Sequence, residues 1–204
     1  MLTFVLVVLT LFIVPGPAVM LTLAQSVKGG RKNGIFTGIG IAVGDLIHTF
    51  ASALGLSAIL MTSALAFDLI KYLGVAYLLY LGVRAFLEKT SLLTIPSVEQ
   101  CTNPTRSFTQ AVLTEVLNPK TALFFLSFLP QFVHPEQGSV ISQLFILGLT
   151  FVALSIAYTT LLAFIAGTVS KWLSKNKMIA NWQGKVIACV YFGLGIHMAL
   201  QHQK

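Results

Sequence analysis

Charge is scarce in this chain. Asp, Glu, Lys and Arg make up 9% of its 204 residues, against roughly a quarter in soluble domains. Cysteine is scarcer still. Cys101 falls in a polar stretch and Cys189 inside the last apolar run, a placement that gives neither a disulfide framework nor metal-ligand spacing. Catalytic signatures are missing too: no Ser-His-Asp order, no paired-histidine metal motif and no phosphate-binding glycine loop in a suitable context. Gly38-Ile39-Gly40 does not follow a strand. No catalytic residue, metal or cofactor is therefore expected. A net charge of +7 would suit nucleic acid, but the basic residues cluster at the ends of apolar runs, which is how orientation in a membrane is encoded. The first run has no basic start and no small-residue cleavage pattern, so a signal peptide is not expected.

What the chain does have is apolar length. Hydrophobic residues are 56% and the mean hydropathy is +0.86. Six runs, each about long enough to cross a bilayer, occupy about 2–25, 35–61, 67–87, 110–133, 140–169 and 179–200, leaving no room for a soluble catalytic domain. A basic turn with Lys28, Arg31 and Lys32 follows the first run, and another with Lys171, Lys175 and Lys177 follows the fifth. The stretch from Glu88 to Phe108, holding Pro96 and Pro104, is the one long linker. Lys and Arg gather on one side: Lys28, Arg31, Lys32, Arg84, Lys89, Arg106, Lys171, Lys175, Lys177 and Lys185, against Lys71 and Lys204 on the other. The rich side is expected to be cytoplasmic, with both termini outside.

Two of the runs are interrupted by proline. Pro15 and Pro17 withhold donors from the carbonyls of Leu11 and Ile13, and Pro119 frees the carbonyl of Glu115. Gly16 and Asn118, each before a proline, are pushed away from helical ψ. Freed backbone groups survive at membrane depth only where protein or a water-filled cavity covers them. Broken helices in corresponding halves point to a transporter's central site.

The halves also match. Gly16-Pro17 corresponds to Asn118-Pro119. Gly38, Asp45, His48 and Thr49 are repeated in spacing by Gly148, Ser155, Tyr158 and Thr159. Leu81-Gly82-Val83-Arg84 corresponds to Leu194-Gly195-Ile196-His197. Three spans per half is an odd number, so the second half is expected to be inverted. The fold expected is an all-α membrane protein of six transmembrane helices in two inverted three-helix repeats, broken at Pro15/Pro17 and at Pro119. It forms a single domain, 1–204, divided as 1–88, a cytoplasmic linker 89–108, and 109–204.

Three charges lie inside apolar runs: Asp45, Glu115 and Lys120. Such groups are costly at membrane depth and tend to be functional. Asp45 shares a helix face with His48, Thr49 and Ser52. It is a candidate to carry a proton or to hold an ammonium group; the alternative is a structural partner of Lys120. Glu115 beside the break is either part of the site or an interfacial carboxylate in water. His48 is a proton relay or a hydrogen-bonded structural histidine. Gly34, Gly38, Gly40 and Gly44 fit helix packing.

The set Phe12-Ile13-Val14-Pro15-Gly16-Pro17, Gly44-Asp45, Asn118-Pro119-Lys120, Phe124-Phe125-Leu126 and Phe128-Leu129-Pro130-Gln131-Phe132 resembles the LysE/RhtB family of bacterial amino-acid exporters over essentially the whole chain. The resemblance implies proton-driven export of an amino acid or close derivative across the bacterial inner membrane. Site residues are then expected among Pro15, Gly16, Pro17, Asp45, His48, Thr49, Glu115, Asn118, Pro119, Lys120, Ser155, Tyr158 and Thr159. The substrate carboxylate would face the helix starts at Gly16-Pro17 and Asn118-Pro119-Lys120. Its ammonium would face Asp45, or the freed carbonyls of Leu11, Ile13 and Glu115. The expected partners are a small-molecule amino acid, protons and the lipid bilayer, with a homo-oligomer allowed and nucleic acid excluded. Three rivals are weaker. An inorganic-cation exporter needs several convergent carboxylates or thiolates. An intramembrane enzyme or thiol-electron carrier needs a reactive pair near a break. A purely structural membrane protein has no use for buried charge.

Overall fold

A computed structural model describes residues 1–14, 16–56, 69, 72, 75–76, 79–80, 83, 86–87, 103–175, 185, 189, 192–193 and 196. The described residues are helical or in short turns, with no strand among them. The third and sixth runs lie largely outside these residues, as do Pro15, Cys101, most of the linker and most of the match between 81–84 and 194–197.

Helix α1 (Leu2–Ile13) ends where Val14 turns extended, at φ −75° and ψ 111°. Gly16 is extended as well, and Pro17 opens α2 (Pro17–Ala51) from its first position. Proline is tolerated there because that amide has no helical acceptor in any case. Gly30, at φ 76° and ψ 177°, splits α2 into two arms. This conformation costs glycine little and other residues much, so the basic turn expected between the first two runs is a one-residue glycine break. The chain folds back there, and a Cβ on Gly34 would run into the Ser26 side chain. A π-helical turn, Ser52–Leu56, follows α2.

The second half begins with α3 (Pro104–Val116), six residues ahead of the expected start at Gln110. Asn103 caps it, accepting a 2.9 Å hydrogen bond from the Thr105 amide, and Pro104 takes the first helical position. After Leu117, Asn118 caps α4 (Pro119–Leu123), which runs on through a π-helical turn to Phe128 and a 3-10 turn to Phe132. A short connection through Gly138 leads into α5 (Val140–Lys175).

Two segments are long and apolar enough to cross a membrane alone: Gly29–Gly55 and Val140–Ala166, each 27 residues. Two further crossings arise if each broken pair counts as one, Leu2–Ile13 with Pro17–Val27, bent by 58°, and Pro104–Val116 with Pro119–Phe132, bent by 44°. Among the described residues there are thus two to four candidate spans, against the six expected for the whole chain.

The glycines of α2 explain its central position. Gly34 and Gly38 face α5, where an added Cβ would stand 2.8 Å from the Ala163 methyl and 2.7 Å from Thr159 Oγ1. Gly40 and Gly44 face α3, with Ala111 Cβ at 2.8 Å and Glu115 Cβ at 2.6 Å from the added atoms. Two small-residue faces on one helix allow close approach on both sides. On α5, Gly148 returns the contact, since a Cβ there would meet Thr49 of α2. Gly38 against Thr159 and Thr49 against Gly148 run in opposite chain directions, so the two helices are antiparallel.

Near the other end of the molecule, Phe4, Phe124, Phe125, Phe128 and Phe151 form a buried cluster with Leu129 and Leu144. Phe4 meets Phe132 edge-on at 5.2 Å. Between the Gly30 break and the bend, Gln25 is buried. It donates to Gln110 at 3.0 Å and accepts from Ser107 at 3.3 Å, tying the first arm of α2 to α3. Leu6, Ile47, Phe50, Ile146, Leu149 and Phe164 are exposed, forming an apolar exterior suited to lipid.

Candidate functional site

The two interruptions meet around one cavity. It encloses about 410 Å³, counted out to its open mouth, and its walls come from α1, both arms of α2, α3, α4 and α5. Gly16, Asp45, Glu115, Asn118, Lys120, Ser155, Tyr158 and Thr159 all line it. Residues far apart in the chain are brought together because both spans break at the same place.

Each break supplies backbone that something must satisfy. At the first, the Lys120 ammonium donates to Leu11 O and Val14 O, each at 2.7 Å. At the second, Glu115 O accepts from the Asn118 amide at 3.0 Å and lies 3.0 Å from His48 Nε2. The Asn118 side chain serves three groups. Its oxygen accepts from the Lys120 amide at 3.1 Å, and its nitrogen donates to Glu115 Oε2 and to Thr121 Oγ1, both at 3.1 Å. The carboxyl of Glu115 is therefore fixed, and at 2% exposure it is not in water. The interfacial placement allowed for it does not occur.

Asp45 differs. It is 1% exposed. Neither carboxylate oxygen makes a hydrogen bond of good geometry, but the Ser155 hydroxyl and the Glu115 carboxyl are close enough to interact with it. Its neighbours in the cavity wall are thus a second carboxyl and one hydroxyl, with no cation among the described residues bonded to it. Asp45 does not take Lys120 as its hydrogen-bond partner; that ammonium is on the α1 carbonyls.

Several of the expected site residues stand outside the cavity wall or face away from it. Pro17 and Pro119 are exposed at the starts of their helices and stand outside the cavity wall. They shape the breaks without facing the space. Thr49 is buried against Gly148 and donates to the Asp45 carbonyl at 2.9 Å, away from the cavity. His48 stacks on Phe125 at 5.8 Å and holds the Glu115 backbone. The freed carbonyls already have donors beside them: Leu11 O accepts from Lys120, and Glu115 O accepts from the Asn118 amide and lies beside His48 Nε2. Pro15 lies outside the described residues. Thr121 and the apolar side chains of Val19, Ile41 and Phe151 were not among the expected site residues, and Leu11 was expected only for its carbonyl. Neither Thr121 nor the apolar residues had a sequence signal to separate them from ordinary helix positions. Among the described residues no group of three or more His, Cys, Asp or Glu gathers as a metal site.

The family model described as LysE type translocator matches residues 9–202. The membrane protein YrhP of Bacillus subtilis is 32% identical, the match covering 98% of either chain. An uncharacterised membrane protein of Pseudomonas aeruginosa is 29% identical over 97% of this chain and 93% of its own. The leucine efflux protein of Salmonella typhimurium is 27% identical over the same shares. No solved structure matches.

Proposed function

The chain belongs to the LysE type translocator family, and from that premise we propose that it exports an amino acid, or a close derivative, across a bacterial inner membrane in exchange for protons. It is a transporter and not an enzyme. The observation that carries the proposal is the buried carboxylate of Asp45, with no cation among the described residues bonded to it, in a cavity between two broken spans.

An amino acid brings an ammonium and a carboxylate, and both need partners once they leave water. In this reading the ammonium binds Asp45. The carboxylate faces the remaining donor capacity of Lys120 and the start of the helix that Asn118 caps. The side chain lies against Leu11, Phe12, Val19, Ile41 and Phe151. That wall fits an apolar amino acid, and relatives named for leucine efflux agree with it. A proton on Asp45 removes the charge that holds the ammonium, so proton and substrate alternate at one group.

The same reading takes the two halves as inverted repeats that rock about this cavity. Support comes from the reciprocal pairs, Gly38 with Thr159 and Thr49 with Gly148. It also comes from two matching side-chain bonds, Thr49 to the Asp45 carbonyl at 2.9 Å and Thr159 to the Ser155 carbonyl at 2.7 Å.

The test is reconstitution of the purified protein in liposomes loaded with one labelled amino acid at a time, with and without an inward proton gradient. With a higher concentration of the same amino acid outside, leucine or a similar apolar amino acid is expected to leave against its own gradient only when protons can enter. Gradient-independent release, or no release of any amino acid by protein shown to be folded, would remove this function.

A further inference from the structure

The broken end of α1 is built to receive positive charge. The last carbonyls of a helix lack internal donors, and the negative end of the helix dipole lies there. In transporters with interrupted helices, unwound carbonyls at such an end are where a coupling cation is held. Here Leu11 O and Val14 O converge on a single atom, Nζ of Lys120, at 2.7 Å each. The lysine arrives from the other half of the chain, 109 and 106 residues away from its two acceptors. Its stem crosses Gly16 so closely that an added Cβ would lie 3.3 Å from Cδ and 3.6 Å from Nζ. Glu115 is its charged neighbour.

We propose that Leu11 O and Val14 O form a cation-binding site at the end of α1, and that the ammonium of Lys120 is its tethered occupant. A lysine inside an apolar run, a glycine under its stem and two carbonyls with no helical donor are then parts of one device. The site suits an ammonium-like cation by its chemistry: neutral oxygen acceptors, the negative end of a helix dipole and a nearby carboxylate. Because the occupant is covalently attached, no free cation is needed to hold the break together. This assignment does not depend on which solute the protein exports.

The experiment measures thermal unfolding of purified protein in detergent, with a readout independent of transport. Wild type, Lys120→Ala and Lys120→Met are compared in N-methylglucamine chloride and in sodium, potassium, methylammonium and ethylammonium chlorides at one ionic strength. Wild type is expected to melt at the same temperature in every salt. Lys120→Ala is expected to melt several degrees lower in N-methylglucamine and to recover, in proportion to concentration, with at least one of the small cations. Lys120→Met, whose longer stem fills the space, is expected to recover less. A Lys120→Ala protein that melts like wild type in N-methylglucamine, or at one lowered temperature in all salts, overturns the assignment. If neither neutral variant can be purified, Lys120→Arg decides. Its recovery at wild-type yield supports a requirement for a cation, and its loss as well shows that lysine's shape is what matters and overturns the site.

Discussion

Asp45 and Glu115 share a cavity yet are held in opposite ways. Glu115 accepts from Asn118 and is clamped through its own backbone by His48, while neither oxygen of Asp45 makes a hydrogen bond of good geometry. Asp45, the less tightly held of the two, is the carboxylate proposed to exchange partners. Asp45→Asn keeps the shape and can bond but cannot titrate, and loss of a buried charge is tolerated when a polar group remains. The variant is expected to insert and fold at wild-type level and to lose uphill export driven by a proton gradient, by at least about tenfold, corresponding to roughly 1.4 kcal/mol. Flux with and without an imposed gradient in liposomes is the check; export at the wild-type rate would make Asp45 a structural residue. These charges were legible in the sequence because Asp, Glu and Lys inside apolar runs have few structural uses. The partners of Lys120 were not. Its acceptors are backbone atoms more than a hundred residues away, and the sequence carries no side-chain pattern that marks a carbonyl as an acceptor.

At the level of helices, glycine spacing was informative and hydropathy was less so. Gly34, Gly38, Gly40 and Gly44 stood out as small residues, and all four are in tight contact with a neighbouring helix or arm. The start of α3 was missed. Its first turns hold Thr105, Arg106, Ser107, Thr109 and Gln110, so a reading by apolar content begins too late, although Asn103-Pro104 is a sound helix start. The contact of Gly38 with Thr159 permits a direct test of how tightly α2 and α5 depend on each other. A Cβ at 38 would lie 2.7 Å from Thr159 Oγ1 and 3.1 Å from its Cβ, and overpacking of this kind costs about 1–3 kcal/mol. Gly38→Ala should therefore melt lower than wild type, and Gly38→Ala with Thr159→Gly should recover most of the loss. Thermal unfolding of the four proteins in the double-mutant cycle measures the coupling; additive losses would mean that the two helices do not meet there.

For the whole molecule, the antiparallel packing of α2 on α5 fixes which reversals share a membrane face. Gly38 opposes Thr159 and Thr49 opposes Gly148, so the chain reversal at Gly30 and the connection through Gly138 lie at opposite ends of the paired helices. Arg31 and Lys32 are exposed at the first and Gln137 at the second. From the excess of Lys and Arg on the first side, that side is expected to be cytoplasmic. Single cysteines at Lys32 and Gln137, in a protein whose Cys101 and Cys189 are replaced by serine, separate packing from orientation. A membrane-impermeant maleimide applied to intact cells is expected to label Gln137→Cys and to reach Lys32→Cys only after permeabilisation. Labelling of Lys32→Cys alone in intact cells would leave the packing intact and invert the orientation, turning the proposed exporter's outward face inward. Labelling of both from outside would place the two reversals on one face, which an antiparallel pair of membrane-crossing helices does not allow, and the arrangement of α2 against α5 would fall with it.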